Sequence, residues 1–139
     1  MKKTGANSRL ADECDWGDFM GRPRIRHIAV RTADPDKVSG FLQDVFGMEE
    51  VRKTPRGTIF MTDGYLTLAL LAPRAGDPNG INHYGFLVDS LEPIRAKTRV
   101  EPAEQLQEAG RSPGQHSEYV VRDPEGNRID AVEEMWPTK

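Results

Sequence analysis

Two histidines and one aspartate are the residues around which chemistry can be built in this 139-residue chain. His27 stands two positions after Ile25, and His83 stands two positions after Ile81, an offset of 56 residues between the two histidines. Asp130 lies four residues after Gly126 and seven after Asp123, inside the run Ile129-Asp130-Ala131-Val132. An ionisable side chain in the middle of an apolar strand requires a partner or a metal. Neutral imidazole nitrogens and a carboxylate oxygen suit Fe2+, Mn2+, Zn2+, Ni2+ or Co2+, and three protein ligands leave positions open for substrate or water. A structural role competes for each residue. A single buried histidine is more often a hydrogen-bonded core residue than a ligand, and Asp130 has candidate ion-pair partners in Arg128 and Arg26. Arg31 shares strand parity with His27, which makes it a candidate contact for an anionic substrate. His116 stands in a Gly/Pro-rich stretch and reads as a solvated residue.

The elements that must position these residues form two similar units. Ile25 to Arg31 is rich in β-branched residues and reads as a strand. Asp34-Pro35 then supplies an N-cap with proline at the first helical position. Val38, Phe41, Leu42 and Val45 recur at helical spacing until Gly47 ends the pattern. Three β-prone runs follow, Met48 to Arg52, Gly57 to Thr62 and Tyr65 to Ala72, the last two joined through the hairpin signal Asp63-Gly64. The first unit therefore reads β-α-β-β-β. The second begins with the strand Gly80 to Val88, continues with a weaker helix from Ser90 to about Thr98, and closes with strands Glu118 to Arg122 and Asn127 to Glu133 around Asp123-Pro124-Glu125-Gly126. Its sixth strand has no clear run of its own. Glu101 to Ser117, with two prolines and two glycines and a short helical turn around Ala103 to Ala109, reads as a mobile connection that covers a cleft. Two units of this kind point to duplication of one motif.

The length fits one domain, expected over residues 24–136, with module 1 at about 24–73 and module 2 at about 80–134. Residues 1–23 read as a tail or arm, in which Trp16, Phe19 and Met20 are available to dock on the domain or on a second subunit. Nineteen basic against 22 acidic residues give a formal charge of −3, too little positive field to make nucleic acid an expected partner. No run approaches the ~18 apolar residues of a membrane span, and no apolar secretory leader opens the chain, so no membrane partner and a cytoplasmic location are expected. The single cysteine, Cys14, excludes an internal disulfide and a thiolate zinc cluster within this chain.

Taken together, Arg26-His27-Ile28-Ala29-Val30, Phe41 to Met48, Asn82-His83-Tyr84-Gly85-Phe86 and Asp123-Pro124-Glu125-Gly126-Asn127-Arg128-Ile129-Asp130 resemble the vicinal oxygen chelate superfamily. That superfamily includes glyoxalases, fosfomycin-resistance transferases, methylmalonyl-CoA epimerases, extradiol dioxygenases and bleomycin-binding proteins. The resemblance implies an α+β fold of two βαβββ modules paired around a half-open, barrel-like cleft. It also implies a divalent metal held by His27, His83 and Asp130, with aspartate standing where the family usually has glutamate. The fourth strand, Leu66-Thr67-Leu68-Ala69-Leu70, offers no further ligand, so the set resembles the fosfomycin-resistance and extradiol-dioxygenase members more than a four-ligand glyoxalase. The implied activity is that of a metal-dependent enzyme acting on a small molecule whose oxygens chelate the ion, with a homodimer as the assembly. The alternatives are a metal-free binding or sequestering protein of the bleomycin-resistance type and an interaction module without activity.

Overall fold

The computed structural model describes residues 21–103 and 118–134. The expected arm with Cys14, Trp16, Phe19 and Met20, residues 104–117 of the expected cover segment Glu101 to Ser117, with His116, and Trp136 lie outside the described residues.

The chain runs β1 (Arg24–Arg31), α1 (Pro35–Phe46), β2 (Glu49–Lys53), β3 (Ile59–Thr62), β4 (Thr67–Leu71), β5 (Gly80–Leu87), α2 (Glu92–Arg95), β6 (Glu101–Pro102), β7 (Glu118–Arg122) and β8 (Arg128–Val132). All eight strands share one sheet in the order β2-β3-β4-β1-β5-β8-β7-β6, so the sheet has two free edges and does not close into a barrel. The fold is α+β, as expected. Within each module the first strand lies parallel to the last, β1 with β4 and β5 with β8, and β1 and β5 join the modules antiparallel. Across that join His27 faces Gly85 and Ala29 faces His83. Exchanging 27 with 83 and 29 with 85 leaves the pairing unchanged, which is the signature of a pseudo-two-fold axis between β1 and β5.

Helix α1 is built as its sequence dictates. The Asp34 carboxylate accepts from the Lys37 amide at 3.1 Å, Pro35 opens the first turn, and Gly47 ends the helix in the left-handed region at φ 66°. The amides of Gly47 and Met48 donate back to the carbonyls of Gln43 and Leu42, and Met48 packs with Leu42 over Ile59, Met61 and Leu70. Only part of the expected apolar face is used. Val38 and Leu42 reach the sheet, whereas Phe41, Val45 and Phe46 are exposed.

Two elements of module 2 are shorter than their sequence pattern. The helix after Ser90 is a single turn, Glu92–Arg95, with Leu91 rather than Ser90 at its N-cap and no side-chain cap bond from it; Leu91 and Ile94 join its small apolar cluster with Val88, Phe86, Ala131 and Tyr119. The sixth strand is the two-residue pairing of Glu101 with Val120 and Pro102 with Tyr119. Among the described residues, no helix is long and apolar enough to cross a membrane.

Candidate functional site

Paired residues of neighbouring strands project to the same face of a sheet. His27 and Asp130 both pair with Gly85, on β1 and β8 respectively, and His83 pairs with Ala29, two residues from His27. Three strands therefore deliver the two imidazoles and the carboxylate to one face, opposite the face covered by α1. All three are buried, and their ligand atoms lie within 4.8 Å of one another. His83 Nε2 is 3.1 Å and His27 Nε2 is 3.7 Å from Asp130 Oδ2, and the two rings meet edge to face with centroids 5.6 Å apart.

This geometry fits a metal. Ligand atoms ~2.1 Å from a shared tetrahedral ion sit roughly 3 to 3.5 Å apart, close to the separations found here. His83 Nε2 is buried and forms no hydrogen bond, although Asp130 Oδ2 lies 3.1 Å away. Its other nitrogen, Nδ1, lies 2.7 Å from Asn82 Oδ1. With its proton on Nδ1 and donated to that amide oxygen, His83 would present the Nε2 lone pair to an ion bound at the cluster, which is how an outer partner prepares a histidine ligand.

Asp130 is held on its other side by Arg128. Nε reaches Oδ1 at 2.7 Å and Nη2 reaches Oδ2 at 3.0 Å. Burial by itself would raise the Asp130 carboxyl, but the His27 and His83 imidazoles and the Arg128 guanidinium outweigh it and hold the group well below the usual carboxylate range. A carboxylate oxygen has two lone-pair directions, so Oδ2 accepts from Arg128 and still faces the histidines. Of the two arginines considered as partners from the sequence, Arg26 is elsewhere. Its Nε donates to the Tyr65 carbonyl at 2.7 Å and its guanidinium lies 4.2 Å from the Tyr65 ring centroid.

Arg31 stands at the end of β1, where Nη1 donates to the Ala72 carbonyl at 2.6 Å and Nη2 pairs with Asp77 at 3.0 Å. These contacts tie β1 to the segment following β4.

Sequence reasoning assigned no role to two residues that shape the site. Asn82 Oδ1 lies within hydrogen-bond distance of His83 Nδ1 and orients the ring. Gly85 makes room for His27, because a Cβ at that position would overlap the His27 ring at Cε1, Nε2 and Nδ1. The available signal was a glycine in the interior of a strand, which marks close approach by another group.

A duplicated βαβββ fold with two histidines and a carboxylate converging on one face defines the class of protein. The chain belongs to the Glyoxalase/Bleomycin resistance protein/Dioxygenase superfamily, which it matches over residues 24–131. It is 28% identical over 107 residues to a probable trivalent organoarsenical cleaving enzyme of Bacillus subtilis, covering 73% of each chain. Among solved structures it is similar to methylmalonyl-CoA epimerase from Mycobacterium tuberculosis, with a TM-score of 0.61, 17% identity and coverage of 81% of this chain and 88% of that one. A homoprotocatechuate 2,3-dioxygenase from B. fuscum also gives a TM-score of 0.61 at 18% identity, with 86% of this chain covering 35% of the dioxygenase.

Proposed function

We propose that this protein is a metal-dependent enzyme acting on a small molecule whose oxygens chelate an ion held by His27, His83 and Asp130. The observation that carries the reading is the buried, unbonded Nε2 of His83, 3.1 Å from Asp130 Oδ2, with Asn82 Oδ1 against its other ring nitrogen. Such a divalent ion, with Fe2+, Mn2+ and Zn2+ as the leading candidates, would supply Lewis-acid polarisation of substrate oxygens in its open positions. The chain's own residues do the remaining work. Gly85 leaves space for the His27 ring, Arg128 keeps Asp130 ionised and fixes the plane of its carboxylate, and burial of all three groups keeps bulk water away from the site. Arg31 enters this reading as a possible substrate contact, although its carbonyl and Asp77 bonds favour a structural tie.

The name of the Bacillus subtilis relative makes a trivalent organoarsenical the first compound to assay. Against that substrate, this chain offers a single thiol, Cys14, to a thiophilic arsenic centre. Methylmalonyl-CoA and catechol-type compounds complete the panel, and a homodimer, read by light scattering as twice the chain mass at micromolar concentration, belongs to the same proposal.

A second reading has its own support. Arg128 already clasps both oxygens of Asp130, so the cluster is balanced as an ion pair, the arrangement a metal-free binding protein would need. Metal analysis of untagged protein separates the two. Near one equivalent of a transition metal, lost in His27→Ala, His83→Ala and Asp130→Ala with the fold retained, supports the enzyme; protein that takes up no metal supports the binding protein.

A further inference from the structure

The face that carries the metal-ligand cluster has a second feature in module 2. A cavity of about 450 Å³ is lined by Arg99, Glu101, Pro102, Ala103, Val120, Arg122 and Arg128. Strand pairing fixes its side of the sheet. Val120 pairs with Asp130 and Arg122 with Arg128 across β7 and β8, and Glu101 pairs with Val120 across β6 and β7. The cavity therefore opens on the same face as His27, His83 and Asp130.

Its charge is unbalanced. Among the described residues, three arginines share the lining with one carboxylate, Glu101, which pairs with Arg99 at 2.8 Å. Arg128 is neutralised by Asp130 on its inner side and is only 14% exposed. Arg122 donates to the Gly126 carbonyl at 3.3 Å and meets no carboxylate among the described residues. Ala103 and Val120 are buried and give the cavity an apolar floor. The fold itself does not demand this arrangement, because on the same face of module 1 Phe60 packs against Ala29 and Ala69 with Val51 and Leu71 around them.

We propose that this cavity is an oxyanion subsite, bounded by Arg122 and Arg128, which receives an anionic group of the small molecule whose other oxygens face the His27, His83 and Asp130 cluster. The proposal rests on the metal-enzyme reading for the second half of that statement only. Arginine suits the task because its planar fork binds a carboxylate or phosphate through two parallel hydrogen bonds. Arg128 belongs to both sites, with Nε and Nη2 engaged by Asp130 and the residue lining the cavity, so an anion held beside it lies one side chain from the cluster. The substrate class that follows is a compact anion, carrying a carboxylate or a phosphoryl-type group at one end and the chelating oxygens at the other.

The test titrates inorganic phosphate and benzoate by calorimetry into the full chain, metal-loaded and chelator-treated, with metal content measured on every sample. Saturable binding of at least one anion to chelator-treated protein is expected, weakened about tenfold in Arg122→Gln, as loss of one charged hydrogen-bond donor predicts. Arg56→Gln, which removes an exposed charge from the β2–β3 turn, should bind as the wild type does. The preferred anion distinguishes planar from tetrahedral ligands. Failure of chelator-treated wild type to saturate with either anion, or equal affinity in wild type and Arg122→Gln, overturns the subsite even when the metal is present. Arg122-dependent binding in protein that takes up no metal upholds the subsite and removes the metal reading instead.

Discussion

Module 1 and module 2 share one plan and differ in what they do with it. Module 1 has a capped helix of 12 residues packed on Ile59, Met61 and Leu70, and it contributes one member of the cluster, His27. Module 2 has a single helical turn and a two-residue edge strand, and it contributes His83, Asp130 and the cationic cavity. The difference is sharpest at matched positions. Gly85 pairs with Asp130 in module 2, and the equivalent pair in module 1 is Ala29 with Ala69. Module 2 therefore carries a buried carboxylate where module 1 carries a methyl group, and only module 2 supplies the cation, Arg128, that such a carboxylate needs. On this face one copy of the motif is packed mainly with apolar side chains, and the other carries most of the polar ones.

The largest expected effect comes from breaking this asymmetry. Asp130→Ala breaks the buried pairing of Arg128 with its carboxylate and should cost about 3 kcal/mol in urea unfolding, together with all bound metal. The reverse experiment, Ala69→Asp, places a carboxylate among Ala29 and Phe60 with no cation beside it, and a similar loss of about 3 kcal/mol is expected. Should Ala69→Asp prove neutral, the two matched positions are not as different as their surroundings indicate.

Next comes the matched pair across the pseudo-axis, Gly85 and Ala29. Gly85→Ala forces the His27 ring out of its position and should cost about 1 to 3 kcal/mol by overpacking, with metal content falling in parallel. Ala29→Gly should cost about 1 kcal/mol through backbone freedom and leave metal content unchanged. Equal metal content in the two variants would remove the positioning role assigned to Gly85.

A smaller contrast lies in the helices. Asp34→Ala removes the cap of α1 and should lower stability by about 1 kcal/mol, whereas Ser90→Ala, which removes a 3.2 Å contact to the Glu92 amide before a single turn, should cost a few tenths. Amide exchange should also be slower in α1 than in α2. Comparable exchange in both would mean that module 2 is held together better than its short elements indicate.

The smallest effect is shared by the two modules. Asp63 accepts from the Leu66 and Tyr65 amides, and Asp123 accepts from the Asn127 side chain and amide, then from the Glu125 amide; both carboxyls are held below their ordinary value. A depressed carboxyl stabilises the fold above its unfolded value, about 3.9, and that contribution is lost as pH falls through the lower folded value. Both hairpin turns should loosen together under acid, with faster exchange at the Leu66 and Asn127 amides. Loosening in one turn alone would show that the duplicated hairpins are not held by the same bond.

Much of this was determined by the sequence, for local reasons. The caps of α1, the Asp63-Gly64 and Asp123-to-Gly126 turns and the repeated Ile-x-His spacing act over a few residues, and the pairing of His27, His83 and Asp130 follows once β1, β5 and β8 are recognised as strands of a duplicated motif. The length of α2 and the presence of β6 were not legible in this way, because so few residues are involved that propensity is overruled by what lies beside them. The choice of Arg128 over Arg26 as the partner of Asp130 was decided by tertiary structure, as was the exposure of Phe41 and Val45 on a helix whose spacing placed them with Val38 and Leu42. Gly85 and the arginine cavity belong to the same group. Gly85 matters only because β1 brings His27 against it from 58 positions away, and Arg99, Arg122 and Arg128 become one cationic surface only when the segment before β6 meets β7 and β8. Charge separation and close packing depend on distances in space, and sequence spacing carries those distances only within a single helix, strand or turn.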